Sequence, residues 1–356
     1  MVLSVCETAK GGVGRFQDSL RAIEGAGFDL AVLLPEQDSD VLTYRDRIWT
    51  FRRQRRGVRA LCAMISEFRR VRASIKPDVY FFNSTFALLP LLVMRMIGDR
   101  SPAVYCAHCW AVSNYRPGSV KGRIVRTVEG RLCGLADLVV NVSSGDADLA
   151  RQLGYKGRHV VVENAVPDSA AMTEVAAFPA QAPGAVHLLF VGRFDRQKGL
   201  DLLLPAFARA RVRNRHLHLH LVGGPVRSDR VPDLPDGVTW HGWAAPDQID
   251  GYYRAADALV VPSRWEGLPL IVPEALRNGT PVLVADRSGM AGLVTPGETG
   301  AVFQHDADAL TDCLARLTHP DLRAMRGAAR ASYEHRFTID RFANQMAGHL
   351  ENLVSR

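Results

Sequence analysis

The sequence predicts an α/β protein made of two Rossmann-like domains, each built on a parallel, doubly wound sheet. Three features predict this fold class. Short apolar runs of strand length alternate with stretches of helical length, as in sheets whose strands are buried on both faces. The pattern stops at a segment rich in alanine and proline and then starts again. Loops with glycines and charged residues follow several of the runs, where such sheets bind ligands.

The first half of the chain contains six predicted strands. A glycine loop at residues 10–14 follows the first of them and leads into a helix predicted from about Arg15 to Glu24. Residues 58–71 place apolar side chains at helical spacing, which predicts an amphipathic helix that faces the core. The predicted strands are residues 2–6, 31–34, 78–82, 103–106, 137–140 and 159–162.

The second half repeats this organisation after a linker at residues 167–183. We expect an N-terminal domain over residues 1–166, a second domain over residues 184–336, and a C-terminal helix within residues 337–356 that packs back on the N-terminal domain. The carboxyl ends of both sets of strands should face a common cleft, which makes that cleft the expected site. The predicted strands of the second domain are residues 187–191, 217–222, 258–261 and 281–284.

Composition and charge are those of a globular protein with a basic N-terminal half. A length of 356 residues allows two domains with substantial cores, and 47% hydrophobic and 23% charged residues are ordinary values. Residues 1–183 carry 24 Lys and Arg against 18 Asp and Glu, whereas residues 184–356 carry 20 against 19. The N-terminus does not resemble a signal peptide, and no apolar run is long enough to span a bilayer. We therefore expect a cytoplasmic protein.

Residues 263–276 are the most informative stretch of the sequence. They follow a predicted strand and hold two carboxylates, Glu266 in a loop and Glu274 in the first turn of a short helix. Pro273 suits the first position of that helix, and Gly279 suits the residue just past its end. The free N–H groups of a first helical turn and the helix dipole favour an anion such as a phosphate. Carboxylates beside such a site suit a ligand with phosphates and hydroxyls, for which a nucleotide sugar is the obvious candidate.

Three further loops after predicted strands carry candidate site residues. Arg193 and Lys198 flank a turn before a helix, where they either converge on a diphosphate or are two solvated cations. The loop with Gly11 and Gly12 allows a ligand to approach the backbone ahead of a helix, but it lacks the spacing of a dinucleotide fingerprint. His108 follows a strand of the first domain, where a structural and a functional role are both open.

The order of these motifs resembles that of the retaining glycosyltransferases of family 4, which have the GT-B fold. The resemblance rests on the Gly-Gly loop, the histidine after a mid-domain strand, and the patterns Gly-Arg-x-x-x-x-Lys-Gly and Pro-Ser-x-x-Glu-Gly-x-x-x-x-x-x-Glu-Ala. It spans nearly the whole chain, and residues 222–225, 241–243 and 252–257 also fit it. It implies a GT-B protein that moves a hexosyl unit from a UDP- or GDP-linked sugar with retention of configuration.

The resemblance also implies a role for each candidate residue. Glu266 would hold hydroxyls of the donor sugar, and Glu274 would bind the ribose hydroxyls of the nucleotide. Arg193 and Lys198 would neutralise the diphosphate as it leaves, and His108 would help to position the sugar. Backbone N–H groups would add donors, and one glycine would give the nucleotide room. The backbone positions that would meet the donor are Gly11, Gly12, Gly223, Gly267 and Leu268.

The implied reaction needs neither a protein nucleophile nor a metal ion or other cofactor, since the leaving phosphate would take the proton of the attacking hydroxyl. The Asp-x-Asp pairs at residues 146–148 and 306–308 are accordingly predicted to start helices rather than to bind metal. Histidines alternate along residues 216–220, where they line either a metal site or a solvated or covered sheet face. Pro269 and Gly292 depart from the common family pattern near the donor site and leave the sugar's identity open.

The basic excess of the N-terminal half is concentrated in residues 45–72, which hold ten arginines and two acidic residues. Trp49 and Phe51 lie beside four of these arginines, and a second basic run covers residues 116–131. Solvated helix faces would account for this charge. The alternative is docking on an anionic membrane, as a peripheral protein at the inner face of the cell membrane. No nucleic-acid recognition motif accompanies the charge, so we expect no nucleic-acid partner.

Together with the resemblance to family 4, these observations predict a metal-independent, retaining hexosyltransferase. Its acceptor would be a glycan or a lipid-linked glycan, as in exopolysaccharide, lipopolysaccharide or capsule assembly. Two alternatives stay open. A nucleotide-sugar epimerase on the same fold would need an additional acid/base set, and we identify none in the sequence. A non-catalytic partner protein would not need the two carboxylates and two cations, all of which the chain retains.

Overall fold

The chain forms two compact units, Met1–Ala165 with Thr338–Arg356, and Val166–Phe337. Each unit contains one parallel sheet, which confirms the predicted class of two α/β domains. Most of the predicted linker, at residues 169–177 and 179–183, lies outside the described residues. The computed structural model describes residues 1–53, 55, 57–116, 118–168, 178, 184–225 and 232–355.

The first unit is built on seven strands: β1 (Val2–Cys6), β2 (Leu30–Pro35), β3 (Ile48–Phe51), β4 (Val79–Asn83), β5 (Ala103–Cys106), β6 (Leu138–Asn141) and β7 (His159–Val161). They pair in parallel in the order β3-β2-β1-β4-β5-β6-β7. The order runs to β2 on one side of β1 and to β4 on the other, so the topological switch point lies between β1 and β4. Both strands are buried along their whole length, as expected of strands covered on both faces.

The helices of this unit confirm the alternating pattern but correct its boundaries. The first helix begins at Gly12, three residues before the predicted start at Arg15. Gly14 lies inside the helix, where a Cβ would come 2.3 Å from the Ala9 carbonyl oxygen. The second helix buries Phe68 and Val71, whereas Val58 is 76% exposed. The helices are α1 (Gly12–Leu20), α2 (Val58–Ile75), α3 (Leu88–Met96), α4 (Val120–Leu132) and α5 (Ser144–Leu153).

The second unit repeats the design with six parallel strands: β8 (Val186–Arg193), β9 (Leu217–Gly224), β10 (Val238–Trp240), β11 (Ala258–Val261), β12 (Val282–Ala285) and β13 (Gly300–Phe303). Their order is β10-β9-β8-β11-β12-β13, so the switch point lies between β8 and β11. The helices are α6 (Leu200–Arg213), α7 (Ile249–Ala255), α8 (Ile271–Arg277), α9 (Ala307–Ala315) and α10 (His319–Arg336).

Three of the observed strands, β3, β10 and β13, were not predicted from the sequence, and each lies at an edge of its sheet. All three are three or four residues long and only partly buried. An edge strand has one paired neighbour and needs less apolar surface. The apolar runs that mark the central strands are therefore weak or absent here.

The last helix, α11 (Ile339–Val354), belongs to the first unit. Its residues Phe342, Met346 and Leu350 recur every four positions and are buried, which gives the helix one apolar stripe. The Phe342 ring packs edge-on against Phe16 of α1, with centroids 5.5 Å apart. The chain therefore returns to its first unit after completing the second.

The predicted histidine row contains one buried member, His220 on β9. Its two ring nitrogens lie 3.0 Å from His187 Nδ1 and 3.0 Å from His241 Nε2, and Phe178 stacks on its ring. Burial lowers the pKa of His220 to about 3, so the ring is neutral near pH 7. Among the described residues, no group of three or more His, Cys, Asp or Glu side chains could hold a metal ion.

Both Asp-x-Asp pairs begin helices, as predicted. Asp146 lies in the first turn of α5, and Asp306 caps α9 by accepting from the N–H groups of Asp308 and Ala309. Within the described residues, no helix combines the length and the apolar character that crossing a bilayer requires.

Candidate functional site

In the second unit, a lysine and a carboxylate meet beyond the carboxyl ends of β8 and β11, the two strands that flank the switch point. Lys198 Nζ lies 2.7 Å from Glu266 Oε1, and the two side chains are only 16% and 10% exposed. They are 68 positions apart in the sequence, and the pairing of β8 with β11 brings their loops together. The structure thus joins two of the predicted site residues into a nearly buried ion pair.

Arg193 reaches the same cluster through a residue that the sequence analysis did not single out. The Gln197 amide group donates to Glu266 Oε2 at 3.3 Å and to the Trp265 carbonyl oxygen at 3.1 Å. The side-chain oxygen of Gln197, Oε1, accepts from Arg193 Nη2 at 3.1 Å. Arg193 also pairs with Asp195 at 3.1 Å and is 47% exposed. Gln197 occupies a variable position of the motif, so only its place between the two cations could have indicated this role.

The loops after β8 and β11 hold each other in place. The Arg264 N–H donates to the Gln197 carbonyl oxygen at 2.8 Å. The Arg264 guanidinium forms two parallel hydrogen bonds with Asp201 at 2.8 and 2.7 Å, and this pairing lowers the pKa of the Asp201 carboxyl. A backbone bond and a forked ion pair therefore fix the geometry in which Lys198 meets Glu266.

Helix α8 follows this loop and carries Glu274. It begins at Ile271, two residues before the predicted start, so Pro273 is its third residue. That position still lies in the first turn, where a helix has no internal partner for the N–H that proline lacks. Gly279 follows the helix with a φ of 66°, as predicted. The Glu274 side chain is buried, and its Oε2 accepts from the Tyr253 hydroxyl at 2.9 Å.

Backbone groups near the pair fall into two classes. Gly267 and Leu268 lie between β11 and α8, outside helix and strand, so their N–H groups are not part of regular secondary structure. Gly223 lies within β9, with a φ of 123°. A Cβ on Gly223 would come 1.9 Å from the carbonyl oxygen of Gly192 on β8. The close approach of two strands therefore requires glycine at position 223. That this glycine also gives a nucleotide room stays a prediction.

In the first unit, His108 lies beyond the carboxyl end of β5 and is anchored by Asn83. Its Nε2 is 2.9 Å from Asn83 Oδ1, while Asn83 Nδ2 donates to Ser4 Oγ at 2.9 Å. Because the amide oxygen of Asn83 accepts, His108 Nε2 carries the proton. Burial lowers the pKa of His108 to about 3, so the imidazole is neutral near pH 7. Phe16 packs edge-on against it.

Several loops of the first unit converge at the carboxyl ends of β1, β4 and β5. Gly11 and Gly12 follow β1 and are exposed, and a Cβ on either would meet no described atom within 4 Å. Ser84 and His108 follow β4 and β5 with φ values of 70° and 62°. Such values are costly for residues with side chains and cluster at functional sites. The structure thus places open backbone and two strained residues on three adjacent strands.

A buried carboxylate, Glu129 of α4, fixes two of these loops. It accepts from Thr85 Oγ1 at 2.7 Å, from the Tyr105 hydroxyl at 3.2 Å and from the Ala111 N–H at 3.0 Å. Thr85 follows β4, and Ala111 follows the His108 loop. Burial raises the pKa of Glu129 to about 7, despite these three donors.

We expect the wild type to lose stability as the pH rises through about 7, and we expect Glu129→Gln not to show this loss. A folded pKa of about 7, above the ordinary value of 4.5, means that the folded state binds the proton more tightly. Protonated Glu129 therefore stabilises the folded state relative to the unfolded state. This contribution is complete below about pH 4.5 and is lost as the pH rises through about 7, which lowers the free energy of unfolding by up to about 3 kcal/mol. Urea unfolding at about pH 5 and about pH 8 should show the variant gaining on the wild type at the higher pH.

Glu67→Gln is the control for this comparison, because Glu67 pairs with Arg70 at the surface of the same unit. It removes the same charge without removing a buried carboxylate. An equal pH dependence in wild type and Glu129→Gln would contradict the assignment.

The first unit also contains a cavity of about 290 Å³ near its switch point. Its walls come from the ends of β1 and β3, the start of α2 and the turn after β4. The polar part is a buried ion pair, in which Arg53 Nη1 lies 2.6 Å from Glu7 Oε1. The lining residues are Glu7, Phe51, Arg53, Gly57, Val58, Ala60, Leu61 and Phe86.

Two descriptions of known families match the chain. Residues 185–319 match the family described as Glycosyl transferases group 1, and residues 11–165 match the Glycosyl transferase 4-like domain. The first match contains the cluster around Lys198 and Glu266. The second contains the glycine loop and His108.

Two curated relatives align over most of the chain. The D-inositol 3-phosphate glycosyltransferase of Nocardia farcinica (strain IFM 10152) is 32% identical over 311 residues, which are 77% of this chain and 68% of the relative. A protein of Klebsiella pneumoniae, described as an uncharacterized 41.2 kDa protein in the cps region, is 25% identical over 314 residues. That alignment covers 86% of each chain.

Solved structures share the fold over the full length. Sucrose-phosphate synthase from Thermosynechococcus elongatus superposes with a TM-score of 0.84 at 21% identity, covering 100% of this chain and 99% of the other. The Anabaena protein HepE in complex with UDP and glucose gives 0.78 at 19% identity, with 99% of each chain covered. At these identities the likeness concerns the fold, and it agrees with the predicted GT-B class.

Proposed function

Because this chain belongs to the glycosyltransferases, in the family Glycosyl transferases group 1, we propose that it is a retaining hexosyltransferase that uses a nucleotide-diphosphate sugar. The observation that carries this proposal is the Lys198–Glu266 pair, with nitrogen and oxygen 2.7 Å apart beyond two strands that flank the switch point. An ammonium attracts phosphate, and a carboxylate accepts hydrogen bonds from sugar hydroxyls. A nucleotide sugar carries a phosphate and sugar hydroxyls next to each other.

We propose a UDP-linked sugar as the preferred donor and a GDP-linked sugar as the alternative. Support for UDP comes from the solved HepE structure, which holds UDP and glucose in the same fold. Glu274 would accept from the ribose hydroxyls, with its carboxylate oriented by the Tyr253 hydroxyl. The N–H groups of Gly267 and Leu268 are proposed as further donors to the sugar or phosphate.

In the proposed reaction the bond between the anomeric carbon and the phosphate oxygen breaks, and the acceptor hydroxyl oxygen bonds to that carbon on the same face. The leaving phosphate oxygen takes the hydroxyl proton. Negative charge grows on the diphosphate during this step, and cations already in place stabilise it without reorganisation. Lys198 and Arg193 are proposed to do this, so the reaction would require neither a metal ion nor a protein nucleophile.

The acceptor is proposed to be a glycan or a lipid-linked glycan that binds to the first unit. The cavity at its switch point supports this, because it combines apolar walls, such as Phe51 and Phe86, with the Arg53–Glu7 pair. A sugar hydroxyl can bond to the pair while an apolar group contacts the walls. The relative from a cps region supports an acceptor in capsule or related polysaccharide assembly.

The donor assignment predicts a specific pattern in a thermal-shift panel of nucleotide sugars. A donor at about a hundred times its Kd should stabilise the fold by about 2.7 kcal/mol through mass action. Glu274→Ala should weaken donor affinity by about tenfold or more, since a hydrogen bond to a charged group is lost. Titration calorimetry with the responding nucleotide sugar measures this change.

Tyr253→Phe is the matched control, because it removes the hydroxyl that bonds to Glu274 and keeps the carboxylate. It should weaken donor affinity less than Glu274→Ala does. A panel with no response would count against the whole proposal. Unchanged donor affinity in Glu274→Ala would contradict only the proposed contact of Glu274 with the ribose.

A further inference from the structure

Helix α4 has its apolar and polar faces reversed relative to an ordinary surface helix. Its buried residues are Gly122, Glu129 and Gly130, and the partly buried Leu132 at its end packs against the core. A Cβ on Gly130 would come 2.4 Å from the Tyr155 ring, so the helix backbone itself packs against the unit. A surface helix of a globular protein normally turns its apolar stripe inward. Here the fully buried positions are two glycines and a carboxylate, and apolar contact with the core is left to Leu132 at the end of the helix.

The apolar stripe of α4 faces outward instead. Val120, Ile124 and Val128 recur every four positions and are 64%, 58% and 49% exposed. Tyr115, in the turn before the helix, is exposed as well. Single exposed apolar residues are common, but a contiguous apolar stripe marks an interaction surface.

Basic side chains surround this stripe. The helix has one acidic residue, the buried Glu129, so its exposed surface carries only positive charge. Among the residues that the structure describes, no salt bridge engages these basic side chains, although Arg126 donates to the Leu153 carbonyl oxygen. The exposed basic residues are Arg116, Lys121, Arg123, Arg126 and Arg131.

The other basic segment, residues 45–72, does not offer such a surface. Of its aromatic residues, Phe51 of β3 and Phe68 of α2 are buried, and Trp49 of β3 packs against the core. Arg53 is buried in its ion pair, and Arg72 pairs with Asp99. The exposed arginines of the segment include Arg52, Arg55, Arg59 and Arg69. The segment therefore keeps part of its positive charge at the surface, but its aromatic side chains are withdrawn into the unit.

We propose that the outward face of α4 is a docking surface for an anionic phospholipid bilayer. Val120, Ile124 and Val128 would enter the boundary between headgroups and acyl chains, while the flanking lysine and arginines contact the phosphates. A helix with an aliphatic stripe and a basic border suits that interface. Charge complementarity selects anionic lipid over a neutral surface. The inference rests on the first unit alone and does not depend on the identity of the donor.

Vesicle sedimentation tests the apolar part of this surface. The full chain should bind vesicles of equal parts phosphatidylcholine and phosphatidylglycerol, and it should bind phosphatidylcholine alone far less. Ile124→Glu should lower the partition coefficient by about tenfold or more, because an apolar side chain that would be buried in the bilayer on docking is replaced by a charged one. Met96→Glu is the matched control, since Met96 is a 77% exposed apolar residue on another helix of the same unit. It should bind like the wild type.

A second pair of variants tests the charge. Arg123→Gln on α4 should weaken binding to anionic vesicles by about fivefold, the equivalent of about 1 kcal/mol per basic residue. Arg69→Gln on α2 removes the same charge from an exposed helix position in the other basic segment and should change binding little. Unchanged melting temperatures would show that all four variants are folded.

Three results would overturn the proposal. The wild type could fail to bind anionic vesicles even at low salt. Ile124→Glu could bind as well as Met96→Glu, which would remove α4 from the surface. Arg69→Gln could weaken binding more than Arg123→Gln, which would return the docking surface to residues 45–72.

Discussion

Replacing Lys198 with alanine is expected to lower kcat for sugar transfer by about a hundredfold to a thousandfold, the effect typical of removing one preorganised group that stabilises transition-state charge. The ammonium lies 2.7 Å from Glu266 and is only 16% exposed, so it is fixed in place before the reaction. The loss should appear in kcat at saturating donor, because in the proposed reaction the charge on the leaving diphosphate grows during bond breaking. Lys156→Ala, which removes an exposed lysine from the first unit, should leave kcat unchanged.

Stability must be separated from catalysis in this variant, since Lys198→Ala leaves the nearly buried Glu266 without its cation. That change alone should lower the free energy of unfolding by about 3 kcal/mol. The double variant Lys198→Met with Glu266→Gln removes both charges and should unfold near the wild-type free energy, yet it should stay inactive. A folded Lys198→Ala enzyme with near wild-type kcat would refute the proposed role of the lysine.

Gly223→Ala should destabilise the second unit by about 3 kcal/mol or more, the sum of backbone strain and overpacking. The backbone at Gly223 has a φ of 123°, and a Cβ there would lie 1.9 Å from the Gly192 carbonyl oxygen in the neighbouring strand. Neither strand can move without disturbing its other partner, because β8 and β9 are both interior strands. Urea unfolding monitored by circular dichroism measures the loss.

Gly242→Ala isolates the steric part of this effect. Gly242 also has a positive φ, 74°, but a Cβ there would meet no described atom within 4 Å. This variant should lose about 1 kcal/mol, the cost of a left-handed backbone with a side chain. Equal losses in the two variants would mean that φ, and not the contact between strands, accounts for glycine at position 223.

The elements that the sequence predicted well are those whose signal is local. Central strands such as β1 and β11 are continuous apolar runs, because burial on both faces demands apolar side chains at every position. The edge strands β3, β10 and β13 have one paired neighbour and lack that signal. The start of α1 falls within the glycine loop, at Gly12, where the residues carry no periodic apolar signal.

The candidate site divides in the same way. A motif can place Lys198 and Glu266 at the ends of strands, since each end is defined by its own run of residues. Their direct contact depends on the pairing of β8 with β11, which joins residues 68 positions apart. Gln197 was missed for this reason: its bonds to Trp265 and Glu266 exist only after the strands pair.

In the first unit, the sequence does not show which side chains of the two basic segments are buried and which are exposed. Two basic segments look alike in sequence, yet residues 45–72 place Phe51 and Arg53 inside the unit, whereas α4 leaves Ile124 exposed. The difference arises because Gly122 and Gly130 bring the α4 backbone against its neighbours and leave the aliphatic stripe outside.

By itself, the sequence determined two α/β domains, the order of their central strands along the chain, and the loops that carry the candidate cations and carboxylates. Hydrophobic burial and turn chemistry act over a few residues, so these features are encoded locally. Only the tertiary structure decided which strands lie at the edges, that Lys198 meets Glu266, and that α4 turns its apolar face outward. Each of these depends on contacts between residues far apart in the chain, whose geometry is set when the sheets assemble.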